Sequence, residues 1–325
     1  MKTLLSCAAL LLWHPVSTAP AQEVEEPLSQ IETAYTMTAY LLNDPNSETI
    51  ETATATLEHC AIQGHPLAAV LLLDVYEGKR RGLPSQPEKA AALAHDIATG
   101  KRKLRDSHRE SVAAKQESMY RYALYCEKGT GRAKSLPDAY EWMLKASNSG
   151  YGKARVELAR YLINGKGCKK NPRTALRLLK AQAGIDATVP NLFFYMGHIY
   201  LSGAGLPKKR ADLAFRYFSY GDKMNDANAI NNLATMYEHG LATEKNELEA
   251  LRLYKKAAQL GNKAASANMQ RLGYVQAGHE NGTPDGVRID RAVMQVIEAL
   301  PLPQHLRSKM AAPVRRHEKQ QLESL

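Results

Sequence analysis

The histidines and cysteines are the side chains that could carry metal or nucleophilic chemistry, but their spacing supports neither. His279-Glu280 begins like the helical zinc motif of metalloproteases, yet no second histidine follows four residues later. The ten histidines are scattered, without the neighbouring cysteines or carboxylates that a zinc site requires. Gly203-Ala204-Gly205 follows no predicted strand, so it is not a nucleotide-binding fingerprint. We therefore predict no catalytic residue, no metal site and no cofactor.

The first 21 residues have the pattern of a signal peptide. Lys2 supplies the positive charge, Leu4 to Leu12 form the apolar run, and Ala19-Pro20-Ala21 supplies small residues for cleavage before Gln22. The apolar run is shorter than the ~20 residues that cross a bilayer. We expect an exported protein, in a bacterial periplasm or secreted, or in the endoplasmic reticulum lumen of a eukaryote.

Composition favours helices and leaves the meaning of the charge open. The 325 residues are 44% hydrophobic and 7% aromatic, with alanine and leucine in short helical blocks. The net charge is +10, with basic clusters at 79–81, 101–109 and 307–319. These clusters are either solvated charge or a contact for an anionic envelope surface. Export argues against a nucleic-acid partner.

An internal repeat organises the chain. One alanine recurs at intervals of 49, 36, 39 and 36 residues, and a large residue stands 13 or 14 positions before it. The alanines are Ala90, Ala139, Ala175, Ala214 and Ala250, and the preceding residues are Tyr76, Cys126, Leu162, Tyr200 and Tyr237. A Gly-x-Gly or its remnant fills four of the five intervals. A period near 36 residues indicates a repeat architecture.

Each unit is predicted to contain two helices. Ala68, Leu72 and Tyr76 follow Gly64 at four-residue spacing and therefore share one helix face. Glycines after the tyrosine end that first helix, and Pro172 is suited to begin a second one. A single helix pair cannot bury both apolar faces, so the units must stack.

The order Leu-Gly/Ala-x2-Tyr-x2-Gly-x-Gly, then Ala-x2-Trp-Tyr-x-Lys-Ala-Ala-x2-Gly, resembles the Sel-one-like repeat family, relatives of the tetratricopeptide repeats. The resemblance covers about residues 60–278 and implies an all-α, right-handed α-solenoid of about five helix-pair repeats with helical caps. Residues 101–116 are either extra helical turns or a linker. The expected domains are a signal peptide at 1–21, an N-terminal helical cap at 22–62, the solenoid at 63–278, and a C-terminal helix with a partly disordered basic tail at 279–325.

Two interpretations of Cys126 and Cys168 remain open. Both lie in neighbouring units, either as buried free thiols that behave as small apolar groups or as a disulfide formed when the units stack. Cys60 is the third cysteine outside the leader, and an odd number cannot pair completely.

First-helix positions that point away from the buried stripe are predicted to line the concave face, which such solenoids use for binding. The candidate groove residues are Tyr120, Arg160, Phe194, His198, Asn231, Asn232 and Thr235. All four phenylalanines fall within 193–218. These aromatic residues either fill the core or form an anchor pocket for a peptide.

The groove and the resemblance together predict an exported, non-enzymatic scaffold that binds a protein or peptide partner. One alternative is a hydrolase acting on cell-wall or β-lactam substrates, because penicillin-binding or β-lactamase activity is attributed to a cysteine-rich subgroup of the family. This chain lacks the paired cysteines of that subgroup. The other alternative is a binder of anionic envelope surfaces, whose binding would weaken steeply with salt.

Overall fold

The computed structural model describes residues 28–42, 47–80, 83–105 and 108–272. Over these ranges the chain forms thirteen α-helices and no strand, which confirms the predicted all-α class. The predicted signal peptide and the segment 279–325 lie outside the described residues. The helices are α1 (Leu28–Leu41), α2 (Ser47–Ile62), α3 (Pro66–Tyr76), α4 (Pro87–Thr99), α5 (His108–Lys128), α6 (Leu136–Asn148), α7 (Gly152–Asn164), α8 (Pro172–Ile185), α9 (Leu192–Ser202), α10 (Ala211–Lys223), α11 (Ala227–His239), α12 (Glu247–Gln259) and α13 (Lys263–Arg271).

Two compact units divide the chain, Met1–Leu178 and Leu179–Leu325, here called the N-terminal and C-terminal units. Their boundary falls inside α8. We call α3, α5, α7, α9, α11 and α13 first helices and α4, α6, α8, α10 and α12 second helices. Each first helix packs on its second helix in α3/α4, α5/α6, α9/α10 and α11/α12, and the first helices α3 and α5 also touch, as do α9 and α11.

The recurring alanine of the sequence pattern lies at the centre of this packing. Ala90, Ala139, Ala175, Ala214 and Ala250 each have 0% exposed surface. A methyl side chain lets neighbouring helices approach closely without leaving a void. The predicted first-helix stripe is also confirmed in α3, where Ala68, Leu72 and Tyr76 are buried. The repeat period was therefore a correct guide to the core.

The residues between the first two repeats combine both predicted alternatives. Residues 101–105 are irregular, and α5 begins at His108, earlier than the other first helices do relative to their tyrosine position. The irregular part is held in place, because the backbone N–H of Arg105 donates to the carbonyl of Gly64 at 2.8 Å. The extra residues in the 49-residue interval between Ala90 and Ala139 therefore lie in this connection and in the lengthened helix α5.

The second glycine of the Gly-x-Gly loop is required by a close backbone approach. Gly131 and Gly167 have φ of 65° and 68°. A Cβ on Gly131 would lie 1.9 Å from the carbonyl oxygen of Pro87, and one on Gly167 would lie 2.0 Å from that of Leu136. Each loop therefore lies directly on the first turn of the preceding repeat's second helix.

Ala242 has the corresponding place in the last loop and adopts a φ of 60°, a conformation that favours glycine. We expect Ala242→Gly to raise the free energy of unfolding of the C-terminal unit by ~1 kcal/mol, because an L-residue in the left-handed region costs ~1–2 kcal/mol. Thermal unfolding should show an increased Tm. In the control, Ala204→Gly, the native φ is not positive, and the same substitution should give no gain. A gain of equal size in both variants would refute the explanation by backbone strain.

Candidate functional site

Arg160, a predicted groove residue, is bound to two carboxylates within the N-terminal unit. Its guanidinium donates to Glu127 at 2.8 Å and to Glu157 at 2.5 Å. Tyr161 donates to the same Glu127 carboxylate at 2.5 Å, and Lys166 also pairs with it. The Glu127 side chain is only 11% exposed. This cluster joins α5, α7 and the loop after α7, so Arg160 acts in holding successive repeats together.

The same arrangement occurs one repeat earlier. The guanidinium of Arg121 donates to Asp74 at 2.6 Å, to Glu77 at 3.1 Å and to Glu117 at 2.8 Å. Glu77 and Glu117 also accept hydrogen bonds from the hydroxyls of tyrosines in α5 and at the start of α7. Because charge-assisted hydrogen bonds are about twice as strong as neutral ones, these clusters fix the register between α3, α5 and α7.

Electrostatics confirm that Glu127 is held as a carboxylate. Burial raises its pKa, but hydrogen bonds from Arg160, Lys166 and Tyr161 outweigh burial and lower the pKa to about 2. The cluster therefore stays ionised at neutral pH. A carboxylate so strongly partnered is unsuited to take a proton in catalysis, since a general acid or base requires a pKa near the working pH.

Tyr120 and Val156 are covered by neighbouring helices to a degree that a wheel drawn for one helix does not indicate. Tyr120 packs its ring against Tyr151 at 5.4 Å, and burial, followed by the charges of Glu157 and Glu117, raises its pKa to about 12. Val156 lies four residues before Arg160, on the same side of α7, but is only 1% exposed. The wheel assumed one buried stripe per helix, whereas a first helix between two neighbours is covered on most of its circumference.

In the C-terminal unit, Phe194 and His198 form an accessible pair on α9. Their rings lie 6.2 Å apart, and Phe194 also contacts Tyr195 at 4.9 Å. Phe194 is half-buried and His198 is exposed at its edge. Shielding of the imidazole from water by its neighbours lowers the pKa of His198, so the ring is neutral at pH 7.

In the same unit, asparagine side chains at the starts of three consecutive first helices are joined by hydrogen bonds. The amide of Asn228 donates to Asn191 at 2.9 Å, and the amide of Asn262 donates to Asn228 at 2.9 Å. A second bond of this kind runs from Asn268 to Asn231 at 3.1 Å. We call these five residues the asparagine row. It connects α9, α11 and α13.

Sequence reasoning found only part of this row. Of its five members only Asn231 was predicted, together with its neighbour Asn232, which it contacts at 3.4 Å. The other four were missed, although Asn191, Asn228 and Asn262 recur at intervals of 37 and 34 residues, close to the repeat period. That recurrence was the available signal.

Thr235 contributes to the core more than to a groove. Its hydroxyl lies 2.9 Å from the hydroxyl of Tyr254, which in turn donates to Glu238 at 2.8 Å. Tyr254 has 0% exposed surface. Of the predicted groove residues in this unit, Asn231 belongs to the asparagine row and Asn232 contacts it, while Thr235 mainly ties α11 to α12.

The three cysteines among the described residues form no disulfide bond with one another. Cys60 and Cys126 are buried and Cys168 is half-buried, with no bond between Cys126 and Cys168. Burial raises the pKa of Cys126 to about 11, so its thiol remains protonated and unreactive at neutral pH. The disulfide alternative is thus not the arrangement that the structure shows.

The basic clusters are partly neutralised where the structure describes them. Lys79 pairs with Asp74 at 3.2 Å and with Glu77, and Lys101 pairs with Asp96 at 3.5 Å. The cluster at 307–319 lies outside the described residues. Across the described ranges, no group of three metal-ligating side chains gathers, and no helix has the length and apolar character to cross a bilayer.

Comparison with known proteins identifies the repeats. A profile of the Sel1 repeat matches residues 116–151, 152–181, 194–220 and 227–262. The predicted first unit, 64–100, is not among the matched segments. A solved Sel1 repeat protein from Oxalobacter formigenes is 22% identical and superposes with a TM-score of 0.57, covering 76% of this chain and 92% of that one.

Two further proteins are more distantly similar to this chain. A protective antigen of uropathogenic Escherichia coli with an SLR fold is 18% identical with a TM-score of 0.43, covering 75% of this chain and 57% of that one. The ERAD-associated E3 ubiquitin-protein ligase component HRD3 of Candida glabrata is 29% identical over 109 residues. That match spans 30% of this chain and only 13% of the length of HRD3.

Proposed function

This chain is a Sel1 repeat protein, and from that premise we propose that it is an exported, non-enzymatic adaptor that binds an extended segment of a partner protein. The proposed binding surface is the first-helix side of the C-terminal unit. It consists of the asparagine row with Phe194, His198 and Asn232. The observation that carries this proposal is the hydrogen-bonded series of amides at the starts of three consecutive first helices.

Amide side chains match the chemistry of a polypeptide backbone. Each asparagine amide has two N–H donors and a carbonyl oxygen with two acceptor sites. Asn228 uses one donor to Asn191 and one acceptor site for Asn262, and it is exposed. It therefore retains one N–H and one acceptor site, the same complement that a peptide group presents. The row is thus suited to bind main-chain groups of an extended segment.

The scarcity of charged residues on α9 and α11 favours recognition of a partner's main chain over recognition of its charged side chains. α9 contains no acidic residue, lysine or arginine. The one charged residue of α11, Glu238, is buried and is paired with Arg271 at 2.7 Å. A partner selected by charge would find no unpaired counter-charge on these two helices. Phe194 beside the neutral His198 then offers an apolar contact that would select one side chain of the segment.

The similarities support an adaptor role in general terms. HRD3 of Candida glabrata is by name a component of a ubiquitin ligase, hence a protein that acts within an assembly. Repeat arrays of this kind use extended surfaces for binding. The signal-peptide pattern in residues 1–21 supports export.

The test compares recovery of partners from an extract of the source cell by the wild-type chain and by Phe194→Ala/Asn228→Ala. Loss of an aromatic anchor costs ~2 kcal/mol or more, so recovery of the true partner should fall more than about tenfold. Cross-links to that partner should map to α9 and α11. A synthetic peptide of the cross-linked segment should bind, and N-methylation of its backbone should abolish binding.

The matched control is Leu248→Ala/Arg252→Ala, which removes one apolar and one polar side chain from the exposed side of α12. It should retain the partner in full. If both double variants recover the partner equally while circular dichroism shows intact helices, the proposed surface is wrong. Recovery that disappears with moderate salt in every variant would instead support the basic clusters.

A further inference from the structure

The N-terminal unit has a cleft that the proposed adaptor function does not use. It has a volume of about 330 Å³ and lies among α2, α3, α4 and the residues that follow α4. Leu72 and Leu93 form its apolar floor, and Ile62, with 63% of its surface exposed, stands at its rim. Its polar lining includes Glu58, Lys89, Asp96 and Arg102. The cleft therefore combines an apolar wall with several charges.

All but one of these charges are balanced. Glu58 accepts a hydrogen bond from Tyr76 at 2.6 Å and lies 3.7 Å from the ammonium of Lys89. Asp96 is paired with Lys101 at 3.5 Å. The guanidinium of Arg102 has no carboxylate within ion-pair distance in the part of the chain that the structure describes. The cleft thus carries one unbalanced positive charge.

Arg102 also has an unsatisfied donor. Its Nε is buried and has no hydrogen-bond partner among the described residues. A buried N–H without a partner costs ~1–3 kcal/mol, because the group has lost its water and gained nothing in return. The backbone N–H of Arg102 donates to the carbonyl of Asp96 at 2.9 Å, so the start of this side chain is fixed at the cleft.

We propose that this cleft binds a carboxylate carried beside an apolar side chain, with Arg102 as the anchor. A guanidinium donates two parallel hydrogen bonds to a carboxylate, and Nε is one of the atoms that makes them. The apolar side chain of the ligand would lie against Leu72, Leu93 and Ile62. A free acylated amino acid and the C-terminal residue of a polypeptide share this chemistry.

The probes are N-acetyl-leucine and its neutral counterpart N-acetyl-leucinamide, titrated into the full chain. The Arg102 Nε–H resonance should shift with the acid, and the acid should bind at least about tenfold more tightly than the amide. Arg102→Gln should weaken binding of the acid about tenfold. Lys103→Gln, which removes a neighbouring exposed positive charge outside the cleft lining, should leave it unchanged.

A hexapeptide ending in leucine distinguishes the two sources. Tighter binding of the hexapeptide than of N-acetyl-leucine assigns the cleft to a polypeptide C-terminus, and equal binding assigns it to a small molecule. The proposal is overturned if acid and amide bind alike, or if no probe binds up to about 10 mM. It is also overturned if Arg102→Gln and Lys103→Gln behave alike.

Discussion

Gly167→Ala should lower the free energy of unfolding of the N-terminal unit by ~3 kcal/mol or more. Two costs add at this position. The residue has a φ of 68°, which costs an L-residue ~1–2 kcal/mol. The new Cβ would also lie 2.0 Å from the carbonyl oxygen of Leu136 and 2.5 Å from its carbonyl carbon, so backbone must move at a cost of ~1–3 kcal/mol. Urea unfolding followed by the fluorescence of Trp142 in α6 measures the loss.

Gly165→Ala is the internal control for this result. Gly165 has a φ of 73°, so alanine there meets the same conformational cost. Its Cβ would first meet Cγ of Lys170, at 2.7 Å, which belongs to a flexible side chain that can move away. The control should therefore lose only ~1–2 kcal/mol. Equal losses in the two variants would show that the contact with Leu136 carries no special cost.

Glu127→Gln should remove ~3 kcal/mol of stability at pH 7 and flatten the acid limb of the stability profile. The pKa of Glu127 falls from an ordinary 4.5 to about 2 on folding. Its contribution is therefore complete above pH 4.5 and is lost as the pH falls towards 2. Each pKa unit corresponds to ~1.4 kcal/mol, which gives ~3 kcal/mol for the whole shift. Denaturant unfolding at several pH values between 2 and 7 measures both effects.

Glu141→Gln provides the comparison, because Glu141 is exposed on α6 and has no ion-pair partner among the described residues. It should change stability by less than ~0.5 kcal/mol at any pH. The wild type and Glu127→Gln should converge near pH 2, where the carboxylate of Glu127 is half protonated. A constant difference between them down to pH 2 would contradict the assignment of the shift to this carboxylate.

The sequence predicted the helical repeat because the repeat depends on local patterns. Four-residue apolar spacing and glycines after the tyrosine position act within one unit, and Ala90 and its equivalents are buried as expected. The side-chain contacts between units could not be predicted in this way, because they depend on which residues of adjacent units meet. Arg160 bonds to Glu127, 33 residues away, and a helical wheel drawn for one helix cannot include such a partner.

The asparagine row lies between these two cases. Asn228 and Asn262 bond across adjacent repeats, yet their spacing of 34 residues makes the pairing readable once the period is known. Polar residues that recur with the repeat period should therefore be aligned between repeats in the same way as the apolar ones. The unsatisfied Nε of Arg102 has no such signal, since it arises from how one irregular segment packs on α3 and α4.

The contact between the second loop glycine and the preceding second helix decides where such a protein can be recombined. An exchange that divides the chain between repeats would place Gly167 on a foreign first turn in place of Leu136 and Pro137. Exchange points between the loop glycine and the start of the following second helix, at 132–135 and 168–171, keep each loop with the turn that it covers. The segment to exchange or duplicate when this array is shuffled or lengthened is therefore offset from the helix pair. It runs from the start of one second helix to the end of the next glycine loop.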